Sequence, residues 1–332
     1  MNNHTDIMTD SHVLYQATLE QIKVANNIAI ITHINPDGDC TCSALALREL
    51  IKAMGKDAHL YNEQGCPSFL EFMAGDAQFN PYTEETAPEY DLVIFVDCGG
   101  RDRAGKVEWV CNHANKIINI DHHSTNPMFG DINIVDGDAC ATGVMIYEMY
   151  QSLGLELNKN IASFLYVAIM MDTGNFSYSN ADKRAHYVAG ELLDYGVEVS
   201  TLCQKFRTTS YNKLKLTALA YETLKLYENG KIAVINVTKA MYNQTGTTSE
   251  DSESFVGTIR DIKGVQVAVL LRDTTDGKLV KVSLRSNNSV DVSKIAQFYG
   301  GGGHFAAAGC SIEGKIPQVE EMVVNKVSEY IN

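Results

Sequence analysis

Three apolar runs in this chain each end at a cluster of acidic or histidine side chains. Ile28-Ala29-Ile30-Ile31 leads into THINPDGDC, the run Leu92 to Val96 into Asp97, and Lys116 to Ile120 into Asp121-His122-His123. Runs this short and this rich in β-branched residues predict buried strands. A further strand is expected over Ala58 to Tyr61, followed by a polar connection through Pro88. Helical spacing covers residues 11 to 26, Ser43 to Met54, Arg103 to His113, Gly143 to Leu153 and Asn160 to Met171. Strands alternating with helices predict an α/β fold, a largely parallel sheet with helices on both faces. The carboxyl ends of parallel strands share one edge, where open α/β folds bind ligands. The polar clusters are thereby directed to one place.

Pro36 and Gly38 break regular structure, so His33, Asp37 and Asp39 are expected on a tight loop. Two carboxylates beside an imidazole are unfavourable unless a cation holds them together, and a divalent ion is the usual one. From that fragment alone, a solvated turn with helix-capping aspartates accounts equally well for the residues. Asp172 adds weight to the metal reading. It closes the helical pattern SFLYVAIMM, where the helix dipole opposes a carboxylate, so it needs another partner. The set supplies ligands for two ions. His33, Asp37 and Asp97 can hold one, with Asp39, Asp97, His122 and Asp172 around the other and Asp97 bridging. Oxygen-rich ligation with one imidazole per ion suits Mn²⁺, with Mg²⁺ as the alternative. Ions about 3.5–4 Å apart can acidify a shared water and clamp both oxygens of a phosphoryl displacement, which is phosphoester hydrolysis.

With 332 residues, 45% of them hydrophobic, the chain is expected to form two domains. Ala185 to Tyr227 reads as helix, turn and helix, and from Lys231 the periodicity changes. KIAVINV, VQVAVLLRD and KLVKVSLRS read as strands, the last two joined by a turn at Asp276-Gly277. A helix over Val292 to Tyr299, the GGGGH stretch and a closing strand complete a smaller mixed α/β domain. The expected boundaries are a catalytic domain over 1–190, a helical linker over 191–228 and a second domain over 229–332. The start MNNHTDIMTD shows no basic segment before an apolar core, and no stretch has the length of a membrane span. A cytoplasmic protein with no membrane partner is expected, its eight cysteines reduced and mostly packed. A zinc–thiolate site at Cys40 and Cys42 is disfavoured for want of further soft ligands. The net charge of −14 argues against coating long DNA or RNA. It leaves room for a small phosphorylated substrate. Oligomeric state is open, a homodimer included.

THINPDGDC, VDCGG, DHHSTN and MMDTGNF resemble, in order, the four motifs of the DHH phosphoesterase superfamily. GGGGHFAAAG is similar to the glycine–histidine motif of its companion DHHA1 domain. In length and layout the chain looks most like the oligoribonuclease and 3′-phosphoadenosine-5′-phosphate (PAP) phosphatase subgroup. The resemblance implies that His33, Asp37, Asp39, Asp97, His122 and Asp172 ligate metal. It also implies that His123 faces the phosphate and stabilises the transition state, while Asp121 orients the histidines. Some positions depart from the family pattern. Cys42 stands where glycine is common, Ala181-Asp182 replaces a threonine pair, and Val144 replaces a glutamate. None is an expected ligand, so the departures bear on substrate preference.

In the second domain, Gly301, Gly302 and Gly303 can expose backbone amides to an anion, although a flexible turn accounts equally for four glycines in a row. Arg285 and His304 match the family's phosphate grip, with Arg103 read as a structural residue. Two small domains closing about a helical linker imply short substrates cut from one end. The expected substrates are short RNA oligonucleotides, released as mononucleotides, and PAP, converted to AMP. The alternatives are a cyclic or linear di-adenosine-phosphate phosphodiesterase and a non-catalytic nucleotide-binding sensor.

Overall fold

The computed structural model describes residues 3–80, 89–274, 277–287 and 289–331, without the side chains of 3–10, His113 and His304. These divide into two compact units, Met1–Phe206 and Arg207–Asn332.

In the first unit the apolar runs become β1 (Ile28–Ile31), β2 (His59–Tyr61), β3 (Phe79–Asn80), β4 (Leu92–Val96), β5 (Ile117–Asp121) and β6 (Ile132–Val135). They form one sheet in the order β3-β2-β1-β4-β5-β6, with every pairing parallel. The expected parallel α/β sheet is present. Chain order runs outward in both directions from the β1–β4 pair, so that pair is the topological switch point where such sheets open a crevice. His33 follows β1 and Asp97 follows β4.

The helices are α1 (Asn3–Val24), α2 (Gly38–Ala53), α3 (Glu71–Ala74), α4 (Thr142–Ser152), α5 (Lys159–Asp172), α6 (Lys183–Leu193) and α7 (Val199–Arg207). Alternation along β1 explains how both sheet faces are covered. Ile28 and Ile30 join a core with Leu47, Ile51, Val144, Leu165 and Ile169, while Ala29 and Ile31 face Ala104, Val107 and Val110. The second cover is the segment Arg101–His113. Its helical spacing is realised as 3₁₀ turns and not as an α-helix, broken at Gly105 (φ 63°, ψ −139°). A Cβ at Gly105 would lie 2.3 Å from Glu63 Oε2 and 2.4 Å from Ile34 Cγ2, so close packing on neighbouring loops enforces the break.

The second unit contains α8 (Tyr211–Glu222), β7 (Lys225–Tyr227), β8 (Ile232–Val237), α9 (Lys239–Thr245), α10 (Phe255–Arg260), β9 (Val267–Asp273) and β10 (Leu279–Ser286). It continues with α11 (Val292–Phe298), β11 (Gly302–His304), β12 (Ala307–Glu313) and α12 (Ile316–Ser328). Its sheet order is β11-β12-β10-β9-β8-β7, antiparallel except for the β8–β9 pair. This is the mixed α/β arrangement that the strand patterns suggested. β9 and β10 pair as a hairpin, though Asp276 of the expected turn lies outside the described residues.

Candidate metal centre

The first cluster does not sit on one loop, as Pro36 and Gly38 suggested. Helix α2 begins at Gly38, and Asp37 is its N-cap, accepting from the Cys40 amide at 3.1 Å. Asp39 therefore lies in the first helical turn, where the dipole favours a carboxylate. The capping and metal-ligand readings of these aspartates are compatible. Asp39 is 1% exposed. Its Oδ1 accepts from Ser43 Oγ at 2.9 Å and the Gly143 amide at 3.0 Å, and its Oδ2 from the Thr142 amide at 2.6 Å. Ala141, the N-cap of α4, has no capping side chain, so Asp39 satisfies the first amides of that helix in its place.

Asp97 is the hub. It is buried, and its φ of 59° puts a non-glycine residue in the left-handed region at the end of β4. One oxygen lies 3.5 Å from His33 Nε2, the other 3.4 Å from His122 Nε2 and 3.1 Å from Thr142 Oγ1. His33 Nε2 is also 3.6 Å from Asp37, and His122 Nε2 is 3.8 Å from Asp39 and 3.6 Å from Asp172. Both histidines turn Nδ1 to a backbone carbonyl, His33 to Ile34 at 2.8 Å and His122 to Ala139 at 3.1 Å. A carbonyl only accepts, so Nδ1 carries the proton and Nε2 is aimed at the carboxylates. That tautomer suits metal ligation.

His123 is directed differently. Its Nδ1 meets Asp121 Oδ1 at 2.7 Å, and Asp121 Oδ2 accepts from Asn126 at 2.6 Å. Asp121 is fully buried, while the His123 side chain is 42% exposed. A Cβ at Gly99 would approach the His123 ring to 3.1 Å, so the second motif's glycine gives that ring its place. Asp172, at the end of α5, finds the partner its position called for in His122.

The electrostatics express the crowding. Burial, then the charge on Asp97, pushes Asp39 well above the ordinary carboxylate range. Asp172 is pushed up to about 6, chiefly by burial and then by Asp97 and Asp37 against the pull of His122. Burial opposes a charge on His122, but Asp39, Asp97 and Asp172 outweigh it and raise the imidazole to about 9. The hydrogen bond to Asp121 raises His123. Asp39, Asp172 and His122 thus hold protons where a cation can replace them. Three sets of donor atoms lie within 4.8 Å of one another: His33, Asp37, Cys40 and Asp97; Asp97, His122 and His123; Asp39, His122 and Asp172. Carboxylate and imidazole donors dominate, so the residues fit a hard or borderline divalent ion.

Cys40, Thr142 and Asn126 belong to this site but not to the expected ligand set. Only the C-x-C spacing drew attention to Cys40; Thr142 and Asn126 act through neighbours and carry no signal of their own. The departures fall outside the ligand sets. Cys42 and Val144 are buried in the core, and Asp182 caps α6.

In the second unit the glycine stretch is a turn only at its start, where Gly300 (φ 75°) closes α11. Gly302 to His304 form the edge strand β11, and a Cβ at Gly303 (φ 144°) would lie 2.5 Å from the Ala307 carbonyl oxygen. A Cβ at Gly301 would meet the Gly309 oxygen at 2.2 Å. Close backbone approach is the reason for these glycines. Arg285 pairs across β10–β12 with Ala307, which pairs with His304 on β11, so one cross-strand row contains both expected phosphate contacts. Burial, then Arg260 and Arg272, lowers the Arg285 guanidinium. Three arginines therefore share this region. The side chain of His304 lies outside the described residues.

A parallel sheet with clustered carboxylates and imidazoles at its switch point defines a metal-binding α/β enzyme. Residues 27–169 match the DHH family, N-terminal domain, and residues 229–332 match the DHHA1 domain. The chain is 37% identical over 309 residues to the bifunctional oligoribonuclease and PAP phosphatase NrnA of Thermus thermophilus, covering 92% of this chain and 90% of that protein. The NrnA of Bacillus subtilis is 29% identical, over 89% of this chain and 92% of its own. The crystal structure of an exopolyphosphatase-related protein from Bacteroides fragilis superposes with a TM-score of 0.88 at 25% identity, covering 96% of each chain. The chain belongs to the DHH phosphoesterase family, as its motifs indicated, and is a phosphoester hydrolase of that metal-dependent family.

Proposed function

We propose that the chain hydrolyses short oligoribonucleotides to mononucleotides and PAP to AMP. The observation that carries this reading is the convergence of His33, Asp37, Asp39, Asp97, His122 and Asp172 at one sheet edge. It occurs in a chain whose relatives along nearly its whole length are named for those two activities. These residues would hold two Mn²⁺ ions, or Mg²⁺ in their place, which when bound would supply an acidified water and neutralise developing phosphoryl charge. Asp97 lies between the two ligand sets and would serve both ions.

The remaining chemistry belongs to the chain's own groups. His123, proton-bearing through Asp121, offers its exposed Nε2–H to a phosphate oxygen as negative charge builds. Asp121 and Asn126 fix that ring; Thr142 fixes Asp97 and, through its amide, Asp39. Arg285, His304 and the backbone of Gly301 to Gly303 are assigned to a substrate phosphate. The catalytic domain is placed at 1–190, the linker at 191–228 and the substrate-binding domain at 229–332. Among the described residues no helix is long and apolar enough to cross a membrane.

The test is a substrate panel with Mn²⁺: di- to pentanucleotide RNA, PAP, cyclic di-AMP and pyrophosphate. Mononucleotides from RNA, and AMP with phosphate from PAP, are the expected products. Turnover of cyclic di-AMP with RNA and PAP left intact would overturn the assignment.

A further inference from the structure

Asp172 is followed by a backbone conformation that nothing in its metal role requires. Gly174, Asn175 and Phe176 are consecutively left-handed, with φ of 56°, 58° and 61°. For the two non-glycine residues this costs on the order of 1–2 kcal/mol each. Two aromatic side chains follow from this turn, one at its end and one just beyond it. Phe176 is anchored inward, stacked on His186 at 5.1 Å between ring centroids with 25° between planes. Tyr178 points outward and is 56% exposed.

The Tyr178 ring is not loose. A Cβ added at Gly174 would lie 2.4 Å from its Cζ and 2.5 Å from both Cε atoms. Such nearly equal distances place Gly174 beneath the face of the ring, so the face is supported from below by backbone. Asn180 closes the loop, donating to the Asp172 carbonyl at 3.1 Å and the Cys140 carbonyl at 3.2 Å. Two residues span at most about 7 Å, so the support lies within that distance of the Asp172 Cα. An exposed aromatic face held flat beside a phosphate-hydrolysing centre has the geometry of a base-stacking platform.

We propose that Tyr178 stacks against a nucleobase flanking the scissile phosphate and so helps to set the enzyme's demand for nucleotides. The proposal rests on the oligoribonuclease reading above. Stacking uses the ring face, which every base can meet, so it discriminates nucleosides from base-free phosphoesters without selecting a sequence. Gly174 belongs to the device, because any side chain there would displace the ring.

The test uses the full-length protein with Mn²⁺ and the variants Tyr178→Ala, Tyr178→Phe and Tyr178→Trp. The substrates are a ribodinucleotide and the same dinucleotide with abasic riboses. Tyr178→Ala should raise KM for the ribodinucleotide roughly 5- to 150-fold, the range expected for one lost stack, with kcat within about twofold of wild type. Phe and Trp should restore KM, and the abasic substrate should be cleaved equally by wild type and Tyr178→Ala. Unchanged KM in Tyr178→Ala, or an equal loss on the abasic substrate, overturns the stacking role alone. Wild-type protein that leaves RNA intact overturns the functional reading beneath it.

Discussion

Asp97 combines two features that a function explains: a left-handed backbone and a buried carboxylate set among His33, His122 and Asp39. Asparagine tolerates the left-handed region and keeps the side-chain shape, so Asp97→Asn removes the charge without disturbing the turn. The variant's Mn²⁺-dependent turnover should fall about 100-fold or more, the upper end of what even an outer partner of a metal ligand costs. Full Mn²⁺-dependent activity in Asp97→Asn would remove Asp97 from the shared position between the two ligand sets. Asp121→Asn should separate the neighbouring role, lowering kcat about 10–100-fold with metal content unchanged by elemental analysis. The acids and histidines were legible because their chemistry resides in residue identity. Thr142 was not, since its bond to Asp97 joins positions 45 residues apart and threonine at a helix start is commonplace.

At the scale of elements, the strands that read clearly were those buried on both faces, because β1 and β4 expose no residue. The edge strands β3 and β6 are short and only partly buried, which leaves little apolar pattern to read. The start of α2 was placed late because Gly38 and Pro36 look like breakers. Only the structure reveals that a Cβ at Gly38 would meet Met171 Cγ at 2.4 Å, so close packing of α2 on α5 accounts for that glycine. The same ambiguity ran through the glycine stretch, and here it yields a prediction. A Cβ at Gly302 meets nothing within 4 Å, whereas one at Gly303 strikes the backbone of Ala307 and Ala308 in a conformation side chains rarely adopt. Gly302→Ala should change unfolding free energy by under about 0.5 kcal/mol, as an ordinary surface change does. Gly303→Ala should lose about 1–3 kcal/mol in urea denaturation. Equal effects from the two would show that β11 does not depend on this close approach.

For the whole molecule, the sequence order of apolar runs and acidic ends implied a parallel sheet with one functional edge. It left open which strands flank the crevice, because strand order depends on crossovers that no local pattern records. The consequence of gathering these charges is a linkage between proton, metal and fold. Asp172 holds its proton up to about 6 and His122 up to about 9, each above its ordinary value. A group whose folded pKa is raised stabilises the fold below its unfolded pKa, and loses that contribution as pH rises through the folded value. For Asp172 the loss runs from about 4 to about 6, and for His122 from about 6.5 to about 9. The carboxylates held low by pairing, such as Asp57, lose their contribution only in stronger acid, so they do not cancel this trend. Chelator-treated protein should therefore melt at progressively lower temperature from about pH 5 to about pH 8. Mn²⁺ must displace the same protons, so the stabilisation it confers should grow over that interval. Melting temperature measured against pH, with and without metal, gives both slopes. A metal-free melting temperature that climbs between pH 5 and 8, or a metal effect independent of pH, would mean that these protons are not held where the carboxylates converge.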